Sequence, residues 1–428
     1  MSPSEKRSVS RRAFLQTSGA LAAAATWTAS SYARVVGAND RIRIGFIGVG
    51  GMGSGHVGAI VALKEKDNVE AVAVADLWQT RAEAGAKTAG APHAFTDYRK
   101  VLDLKEIDYV TIAVPEHSHA RATLDAMDAG KAVYCEKPMT HTIPEAQAVM
   151  KKQKETKLAL QIGVQAMSDD SYSSAAEAIR AGKLGQVVQA QIEYVRRYGQ
   201  QGPWRVPGLK EDMPKPADLD WDTWLGDAPK IAWNPHHYFE WRNYVAYSGG
   251  VSTDLFIHRI TRIMKACDLL YPRRVVGMGG IWQWPDGRDL PDNFEMICEY
   301  PRGMTVYVLG TMSNRVGIDH LIRGYDATLY FTPTGWEIKD KDGKVLETHK
   351  KTGGEDILPH HTNLHNHLRH GEPLNCPVEL GMAGVVAVCM ACESWRTGQM
   401  MGWDKQQQRM VPASTLKFDP YPEPAAKS

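Results

Sequence analysis

An excess of charge of either sign is missing from this chain of 428 residues. Its 50 lysines and arginines nearly balance 49 aspartates and glutamates, which leaves a formal net charge of +1. Binding to nucleic-acid phosphates needs a concentrated basic surface, so this composition argues against nucleic acid as the main partner. The length and the 43% share of hydrophobic residues suffice for two buried cores, so we expect two domains.

Cysteine is scarce as well, with only six residues in the whole chain. The six are scattered and do not form the dense framework of a small secreted domain held by disulfides. Cys389 and Cys392 have the CxxC spacing, but they lie in an apolar, helix-like run from 385 to 393. Buried free thiols are expected there rather than a redox pair or half of a metal site.

Long hydrophobic runs are missing outside the N-terminal region, so the sequence predicts no membrane span in the mature chain. The segment Ser10-Arg11-Arg12-Ala13-Phe14-Leu15-Gln16 has the pattern of a twin-arginine export signal. A weakly hydrophobic stretch follows it, and Ser31-Tyr32-Ala33 supplies the small residues that a signal peptidase reads. The alternative is a disordered basic tail. We expect residues 1–33 to be a signal peptide and the protein to be periplasmic or otherwise exported.

Short apolar strands alternate with helical stretches from residue 41 to about 142. Val69 to Ala75 (VEAVAVA) is a continuous apolar run of the kind that is buried on both faces of a parallel sheet. Similar runs begin at Arg41, Tyr109 and Ala132. This alternation predicts a doubly wound α/β domain over residues 41–160.

Beyond about residue 186 the pattern changes to long alternating segments joined by turn signals such as Pro301-Arg302-Gly303. Successive extended strands of this type predict an open, predominantly antiparallel sheet. Two helices are expected near the C terminus, at about 361–370 and 379–399. We therefore expect an α+β substrate domain over residues 161–410, followed by a tail over 411–428. The fold class is α/β for the first domain and α+β for the second.

A glycine-rich loop follows the first predicted strand and has the pattern GxGxxG. Gly48 permits a tight turn, Gly50 lets the backbone approach a pyrophosphate, and Gly53 lets the following helix pack on the strand. The pyrophosphate would then lie at a helix N-terminus. Asp76, at the end of the second strand, can accept hydrogen bonds from both ribose hydroxyls and would repel a 2′-phosphate, so NAD is preferred to NADP. The predicted cofactor-binding residues in this region are Gly48, Gly50, Gly51, Met52, Gly53 and Asp76.

Further polar residues lie where predicted parallel strands end, which is where such sheets bind ligands. Glu136-Lys137-Pro138 follows one strand, and Pro115 to His119 follows another, although His117 or His119 can also serve only as a helix cap. In Gly249 to His258, Asp254 and His258 are four positions apart and share one face of a helix. A local ion pair is the alternative for these two, but beside a nucleotide fold they fit an acid–base set.

The glycine loop, the strand-end Glu136-Lys137-Pro138 and the run from Gly249 to His258 together resemble the glucose–fructose oxidoreductase/inositol dehydrogenase family (Gfo/Idh/MocA). The resemblance covers about residues 41 to 403. It implies an N-terminal Rossmann domain, a C-terminal domain whose open sheet forms a homo-oligomer (dimer or tetramer), and NAD as cofactor. It also implies that Lys137 lowers the pKa of the reacting hydroxyl, that His258 acts as general base and that Asp254 orients the site. Pro115, His119, Glu136 and Lys137 are expected near the cofactor.

The substrate expected from this resemblance is a sugar, a sugar derivative or a cyclitol. The aromatic segment from 233 to 247 is either a carbohydrate-binding wall or a packed core. The residues that we expect to contact substrate are Gln165, Arg196, His236, Tyr238 and Tyr244.

No metal site is expected. The histidines from 360 to 370 lack the glutamate or cysteine that usually accompanies metal-binding histidines, so a solvated or capping helix is the simpler interpretation.

Three functional classes follow from this sequence. The leading hypothesis is an NAD-dependent oxidoreductase that acts on CH–OH groups, with a cofactor that stays bound. The second is an NAD-dependent glycosidase or lyase that works by transient oxidation, elimination and re-reduction, although known hydrolase members of the family tend to lose the lysine that Lys137 retains. The third is a protein that binds the cofactor without catalysis, and the presence of Lys137, Asp254 and His258 argues against it.

Overall fold

A computed structural model describes residues 40–417 and 419–420, and the predicted signal peptide lies outside the described residues. The chain forms two β-sheets that are consecutive in sequence. The first is a parallel six-stranded sheet and the second has ten strands. This division agrees with the predicted order of a doubly wound domain followed by a domain with an extended sheet.

The first sheet has the strand order β3-β2-β1-β4-β5-β6, in which every pairing is parallel. The order reverses direction between β1 and β4, which is the switch point where open α/β sheets bind ligands. The strands are β1 (Ile42–Ile47), β2 (Val69–Ala75), β3 (His93–Phe95), β4 (Tyr109–Ile112), β5 (Ala132–Glu136) and β6 (Leu160–Gly163). The helices between them are α1 (Gly51–Leu63), α2 (Gln79–Ala89), α3 (Arg99–Leu102), α4 (Glu116–Asp128) and α5 (Ile143–Thr156).

The end of the first domain lies later in the chain than predicted, because a sixth strand belongs to the first sheet. Leu160 pairs with Val133 and Gly163 with Glu136, so β6 belongs to the first sheet and a boundary between 160 and 161 cuts it off. Its four residues are all buried, as expected for a parallel strand covered on both faces. A run of four residues is too short for its sheet to be assigned from sequence alone.

The second sheet has the order β14-β13-β12-β11-β7-β10-β9-β8-β15-β16. All its pairings are antiparallel except that between β7 and β10. The strands are β7 (Val187–Val195), β8 (Arg274–Gly280), β9 (Asn293–Tyr300), β10 (Met304–Thr311), β11 (Leu321–Gly324), β12 (Thr328–Thr332), β13 (Gly335–Lys339), β14 (Val345–Lys350), β15 (Met401–Asp404) and β16 (Arg409–Pro412). Because β16 continues to Pro412, the predicted start of the tail at 411 lies inside the last strand.

Six further helices follow β6 in the described part of the chain, and three of them pack on strands of the second sheet. They are α6 (Asp170–Arg180), α7 (Trp221–Leu225), α8 (Pro235–Phe239), α9 (Ile257–Ala266), α10 (Ile357–His370) and α11 (Val378–Thr397). A π-helical turn at Val251–Phe256 leads directly into α9. Although it comes late in sequence, α10 packs on α1, and Leu364 belongs to the core of the first sheet.

The helix α11 is long and apolar enough to cross a membrane by length and composition. The sequence expectation that no apolar run of this length lies outside the N-terminal region is therefore wrong. Most of its side chains are buried, and it packs on β8, α5 and α9. Cys389 and Cys392, which lie in this helix, are free thiols that point to backbone carbonyls rather than to each other.

Candidate active site

The glycine loop connects β1 to α1 at the switch point of the first sheet. Two glycines of this loop are required by its backbone conformation and packing, independently of any ligand. Gly48 has φ +83°, and a Cβ on Gly53 would lie 2.1 Å from the carbonyl oxygen of Gly48. A Cβ on Gly50 would meet nothing closer than Arg81 at 3.7 Å, and one on Gly51 would meet nothing within 4 Å. Because internal packing does not require the second pair, these residues fit the close approach of a pyrophosphate to the backbone.

Asp76 is held beside this loop by backbone hydrogen bonds. Its carboxylate accepts from the N–H of Val49 and from the N–H of Trp78, each at 3.0 Å. The guanidinium of Arg81 lies 3.9 Å away and stacks on Trp78, with 4.8 Å to the ring centre. A carboxylate fixed at the end of β2 fits the ribose hydroxyls of an adenosine whose pyrophosphate lies over Gly50.

The structure brings together Lys137 and Asp254, which lie in different domains. Lys137 follows β5, and its ammonium donates to the Asp254 carboxylate at 2.7 Å and to its backbone carbonyl at 2.8 Å. Arg242 donates to the same carboxylate oxygen at 3.0 Å. Burial raises the pKa of Asp254, but the charges of Arg242 and Lys137 outweigh it, so the pKa lies well below its usual range. Asp254 is therefore an anion that holds two cations in the cleft.

His258 lies one helical turn after Asp254, in the first turn of α9. The regular α-helix expected at this point is replaced by the π-turn, a feature that is common at functional sites. The Nδ1 of His258 has no hydrogen-bond partner among the described residues and lies 3.9 Å from Glu355. Burial, Lys137, Arg262 and Arg259 all lower the pKa of His258, and Asp254 only partly opposes them. His258 is therefore neutral near pH 7, the state that a general base needs.

A buried glutamate fixes the loop that carries Asp254. Glu116, in the first turn of α4, accepts hydrogen bonds from Ser248 Oγ at 2.8 Å and Thr253 Oγ1 at 2.7 Å. Burial and the nearby Asp254 raise the pKa of Glu116. No sequence pattern indicated a role for Glu116 or Arg242. The contacts of Glu116 with Ser248 and Thr253 cross the two domains, and Arg242 meets Asp254 only through the folding of the segment between them.

The other predicted strand-end residues, His119, Pro115 and Glu136, contact or precede backbone elements of the first domain. The ring nitrogens of His119 lie 2.7 Å from the carbonyl oxygen of Pro138 and 2.8 Å from that of Val114. Pro115 is the residue that precedes α4. Glu136 is buried, accepts from the N–H of Lys137 at 3.1 Å and contacts His56 at 3.0 Å. These three residues thus position the ends of β4 and β5, where Lys137 lies.

The expectation of a solvated or capping helix is wrong for His360, His361 and His365, which are fully buried. His361 joins a chain of contacts that runs from Glu136 through His56 at 3.0 Å, His361 at 2.9 Å, Tyr109 at 3.3 Å and His365 at 3.0 Å to Asp67 at 2.8 Å. Among the described residues no cluster of metal ligands is found.

The predicted substrate residues are divided between the site and the core. Gln165 lies two residues after β6, and its buried side-chain oxygen has no hydrogen-bond partner among the described residues. Arg196 follows β7 and lies over the ring of Tyr194. His236 instead pairs with Glu240 at 2.8 Å. Tyr238 and Tyr244 are buried in an aromatic core with Trp221, Trp224 and Tyr247, so the packed-core interpretation describes them and the carbohydrate-wall interpretation does not.

Two sequence profiles of one family match this chain. The profile described as "Oxidoreductase family, NAD-binding Rossmann fold" matches residues 42–164, and the one described as "Oxidoreductase family, C-terminal alpha/beta domain" matches residues 172–271. Together they cover just over half of the chain. The first match ends one residue beyond β6, in agreement with the observed boundary.

Curated relatives align with the N-terminal part of the chain. Inositol 2-dehydrogenase of Salmonella paratyphi B is 32% identical over 147 residues, which are 34% of this chain and 43% of the relative. The scyllo-inositol 2-dehydrogenase (NAD(+)) of Bacillus subtilis is 30% identical over 148 residues, which are 35% of this chain and 43% of the relative. The chain thus spans less than half the length of these relatives.

Solved structures share the fold over both domains. Levoglucosan dehydrogenase in complex with NADH has a TM-score of 0.67 and 17% identity, and the match covers 84% of this chain and 98% of that chain. The WlbA dehydrogenase from Bordetella pertussis, in complex with NADH and UDP-GlcNAcA, has a TM-score of 0.65 and 16% identity, with 85% and 99% covered. From its two matching profiles and this shared architecture, the chain belongs to the Gfo/Idh/MocA oxidoreductase family and carries an NAD-binding Rossmann domain.

Proposed function

We propose that this protein is an NAD-dependent oxidoreductase that acts on a hydroxyl group of a sugar, a sugar derivative or a cyclitol. The observation that carries the proposal is the contact of Lys137 with Asp254, next to a neutral His258, at the ligand-binding edge of the first sheet. The names of the relatives, inositol and levoglucosan dehydrogenases, indicate polyhydroxylated substrates for this chain as well.

Bound NAD supplies the hydride acceptor, and the protein supplies the proton chemistry. The Lys137 ammonium donates a hydrogen bond to the substrate hydroxyl and stabilises the developing alkoxide. His258 takes the hydroxyl proton, because its lowered pKa leaves it unprotonated. Asp254 keeps Lys137 in place, and Arg242 holds Asp254 from the other side. Proton transfer to a positioned base contributes about 10²- to 10⁴-fold to the rate.

We further propose that the cofactor stays bound between turnovers. The support is a contact between the two domains beside the expected adenosine position. Asp218, from the long segment that follows β7, accepts hydrogen bonds from the Trp78 indole at 3.0 Å and from the Thr80 N–H at 2.8 Å. Trp78 lies two positions after Asp76, so this contact joins the two domains beside the end of β2 where the ribose would lie. An enzyme with a retained cofactor could also be a glycosidase or lyase, which remains the second candidate.

Two properties outside the active site belong to the same proposal. Export by the twin-arginine route and a periplasmic location fit a protein that carries its cofactor, because this route moves folded proteins. Oligomerisation through the second sheet fits its uncovered face, where Met278 on β8 and Ile297 on β9 are exposed. Met278 is 67% exposed, a large fraction for an apolar side chain on a strand.

The test has two stages. Purified protein is first denatured, and mass spectrometry identifies any dinucleotide that is released; the proposal expects NAD or NADH. The protein is then incubated with NAD and a panel of sugars, cyclitols and glycosides while NADH and products are followed. Oxidised product with NADH, or a reduced bound cofactor, supports the oxidoreductase. Net hydrolysis of a glycoside without NADH accumulation replaces it with the glycosidase or lyase.

A further inference from the structure

Two arginines lie against the same tyrosine ring beside His258. Arg259 directly follows His258 in α9, and its guanidinium carbon lies 4.4 Å from the ring centre of Tyr194. Arg196 follows β7, and its guanidinium carbon lies 4.8 Å from the same ring centre. Two like charges are therefore held close together, one on α9 and one at the end of β7.

Neither guanidinium has a carboxylate partner among the residues that the structure describes. Arg196 donates only to the hydroxyls of Tyr194 and Tyr198. The guanidinium of Arg259 makes no hydrogen bond to the described residues, and its Nε is buried without a partner there. The neighbouring Arg242 and Arg262 differ, because Arg242 pairs with Asp254 and Arg262 pairs with Glu355.

The charges around His258 do not balance. Five cations, Lys137, Arg196, Arg242, Arg259 and Arg262, lie near three carboxylates, Asp254, Glu355 and Glu136, which leaves an excess of two positive charges. Burial and Asp254 raise the pKa of Glu116, and its oxygens accept from Ser248 and Thr253 rather than from an arginine. Arg196 is exposed, but the Nε of Arg259 is buried without a partner among the described residues, and an unpaired buried cation is costly, so this group gains free energy when an anion binds.

We propose that Arg196 and Arg259 bind an anionic group of the substrate, so that the substrate class is a sugar acid or a sugar phosphate. This inference rests on the proposed oxidation of a hydroxyl next to His258. Guanidinium groups bind carboxylate and phosphate oxygens through paired N–H donors, and these two have donors that no protein carboxylate occupies. The charge of Arg259 acts on His258, so an anion bound to Arg259 would place the adjoining sugar carbons near the base.

The first experiment compares substrates that differ only in the anionic group. Glucose, glucuronate and glucose 6-phosphate are given to the purified protein with NAD, and kcat/KM is measured from NADH formation. The inference expects at least one of the two anionic sugars to exceed glucose by about tenfold or more, as a charge-assisted hydrogen bond is worth roughly 1.5 to 3 kcal/mol. The ratio of glucuronate to glucose 6-phosphate tells carboxylate from phosphate recognition. Equal values for all three sugars would overturn the inference.

The second experiment removes the charges one at a time. Arg259→Gln and Arg196→Gln keep a hydrogen-bonding side chain but lose the positive charge. Each is expected to lower the ratio of kcat/KM for the preferred anionic sugar to that for glucose by about 10- to 100-fold. Arg180→Gln is the matched control, because Arg180 is an exposed arginine paired with Asp268 on the surface. The inference fails if Arg259→Gln and Arg196→Gln depress the anionic and the neutral sugar to the same extent.

A binding measurement separates this inference from the proposed function. Calorimetry on the protein loaded with NADH uses glucuronate, glucose 6-phosphate, glucose and inorganic phosphate as probes. If an anionic probe binds, Arg259→Gln abolishes that binding and no sugar yields NADH, the anion site is supported and the oxidoreductase is contradicted. If neutral sugars are oxidised but no anionic probe binds measurably, the oxidoreductase is supported and the anion site is overturned.

Discussion

The ammonium of Lys137 lies 2.7 Å from the carboxylate of Asp254, although 117 positions of sequence separate the two residues. Lys137 stands at the carboxyl end of a strand in the first domain, and Asp254 lies in a π-turn of the second. Because Arg242 holds the same carboxylate, the pair is part of a buried ionic cluster rather than a surface ion pair.

Asp254→Asn is expected to reduce both activity and stability. The substitution leaves Lys137 and Arg242 buried without a counter-charge, which costs about 3 to 5 kcal/mol in free energy of unfolding. It also frees Lys137 from its position, so kcat is expected to fall by about 10²- to 10⁴-fold. Urea unfolding and steady-state kinetics measure the two effects. Asp128→Asn, which removes an exposed ion pair with Lys152, is the control and should change stability by less than about 1 kcal/mol.

The pH profile of kcat/KM should report the lowered pKa of His258. Since the unprotonated imidazole is the active form, activity is retained as the pH falls to the usual histidine range and is lost only below it. Lys137, Arg259 and Arg262 lower this pKa, Asp254 raises it, and Glu355 lies 3.9 Å from Nδ1. Arg262→Gln removes one cation and frees Glu355, so the pKa rises and the acidic limb moves to higher pH. An acidic limb that stays in place in this variant contradicts the assignment of His258 as the base.

The two kinds of glycine in the nucleotide loop should respond differently to substitution. Gly50→Ala adds a methyl group where the protein has room, so the fold should persist while NADH affinity falls at least tenfold. Gly53→Ala puts a methyl group 2.1 Å from the carbonyl oxygen of Gly48, so it should lower the melting temperature strongly. Thermal unfolding without ligand and NADH titration distinguish the two results. Full NADH affinity in Gly50→Ala would place the pyrophosphate elsewhere.

Acid should destabilise the protein through its buried histidines. Burial is the largest cause of a lowered pKa in His117, His258, His320, His360 and His361, and it brings the pKa of His117 and His360 to about 4. The unfolded chain binds protons at these residues below about pH 6.5, whereas the folded chain does not, so stability is lost as the pH falls. Each such group contributes up to about 1.4 kcal/mol per pH unit. Urea unfolding at about pH 7.5 and about pH 5.5 measures the loss, and equal stability at the two values would contradict it.

Tyr109→Phe tests the buried network between Glu136 and Asp67. Loss of the hydroxyl leaves His361 and His365 each without one partner in a dry environment, which should cost about 1 to 3 kcal/mol. The matched control is Tyr325→Phe, because Tyr325 is 87% exposed and should be neutral. Urea unfolding measures both variants. Equal stability of the two proteins would mean that the phenol contributes nothing to the attachment of α10.

Local patterns in the sequence were sufficient for the nucleotide loop, the strand-end lysine and the order of the two sheets. Each depends on residues that are close in sequence: glycine spacing, apolar runs and a proline after a strand. Residues whose role depends on distant contacts were missed or misplaced. Arg242 lay within the aromatic segment 233–247, which was interpreted either as a carbohydrate-binding wall or as a packed core. Tyr238 and Tyr244 were expected to contact the substrate, but they pack in the aromatic core.

The sequence by itself determined the family, the α/β architecture and the chemical identity of the loop and the strand ends, because backbone preference and hydrophobic period act over a few residues. Tertiary structure decided which charges meet. It brought Lys137 to Asp254, buried the histidines of α10 against the first domain and left Arg196 and Arg259 without carboxylates. Electrostatic energy depends on distance in space and on exclusion of water, and neither quantity can be obtained from the order of residues along the chain.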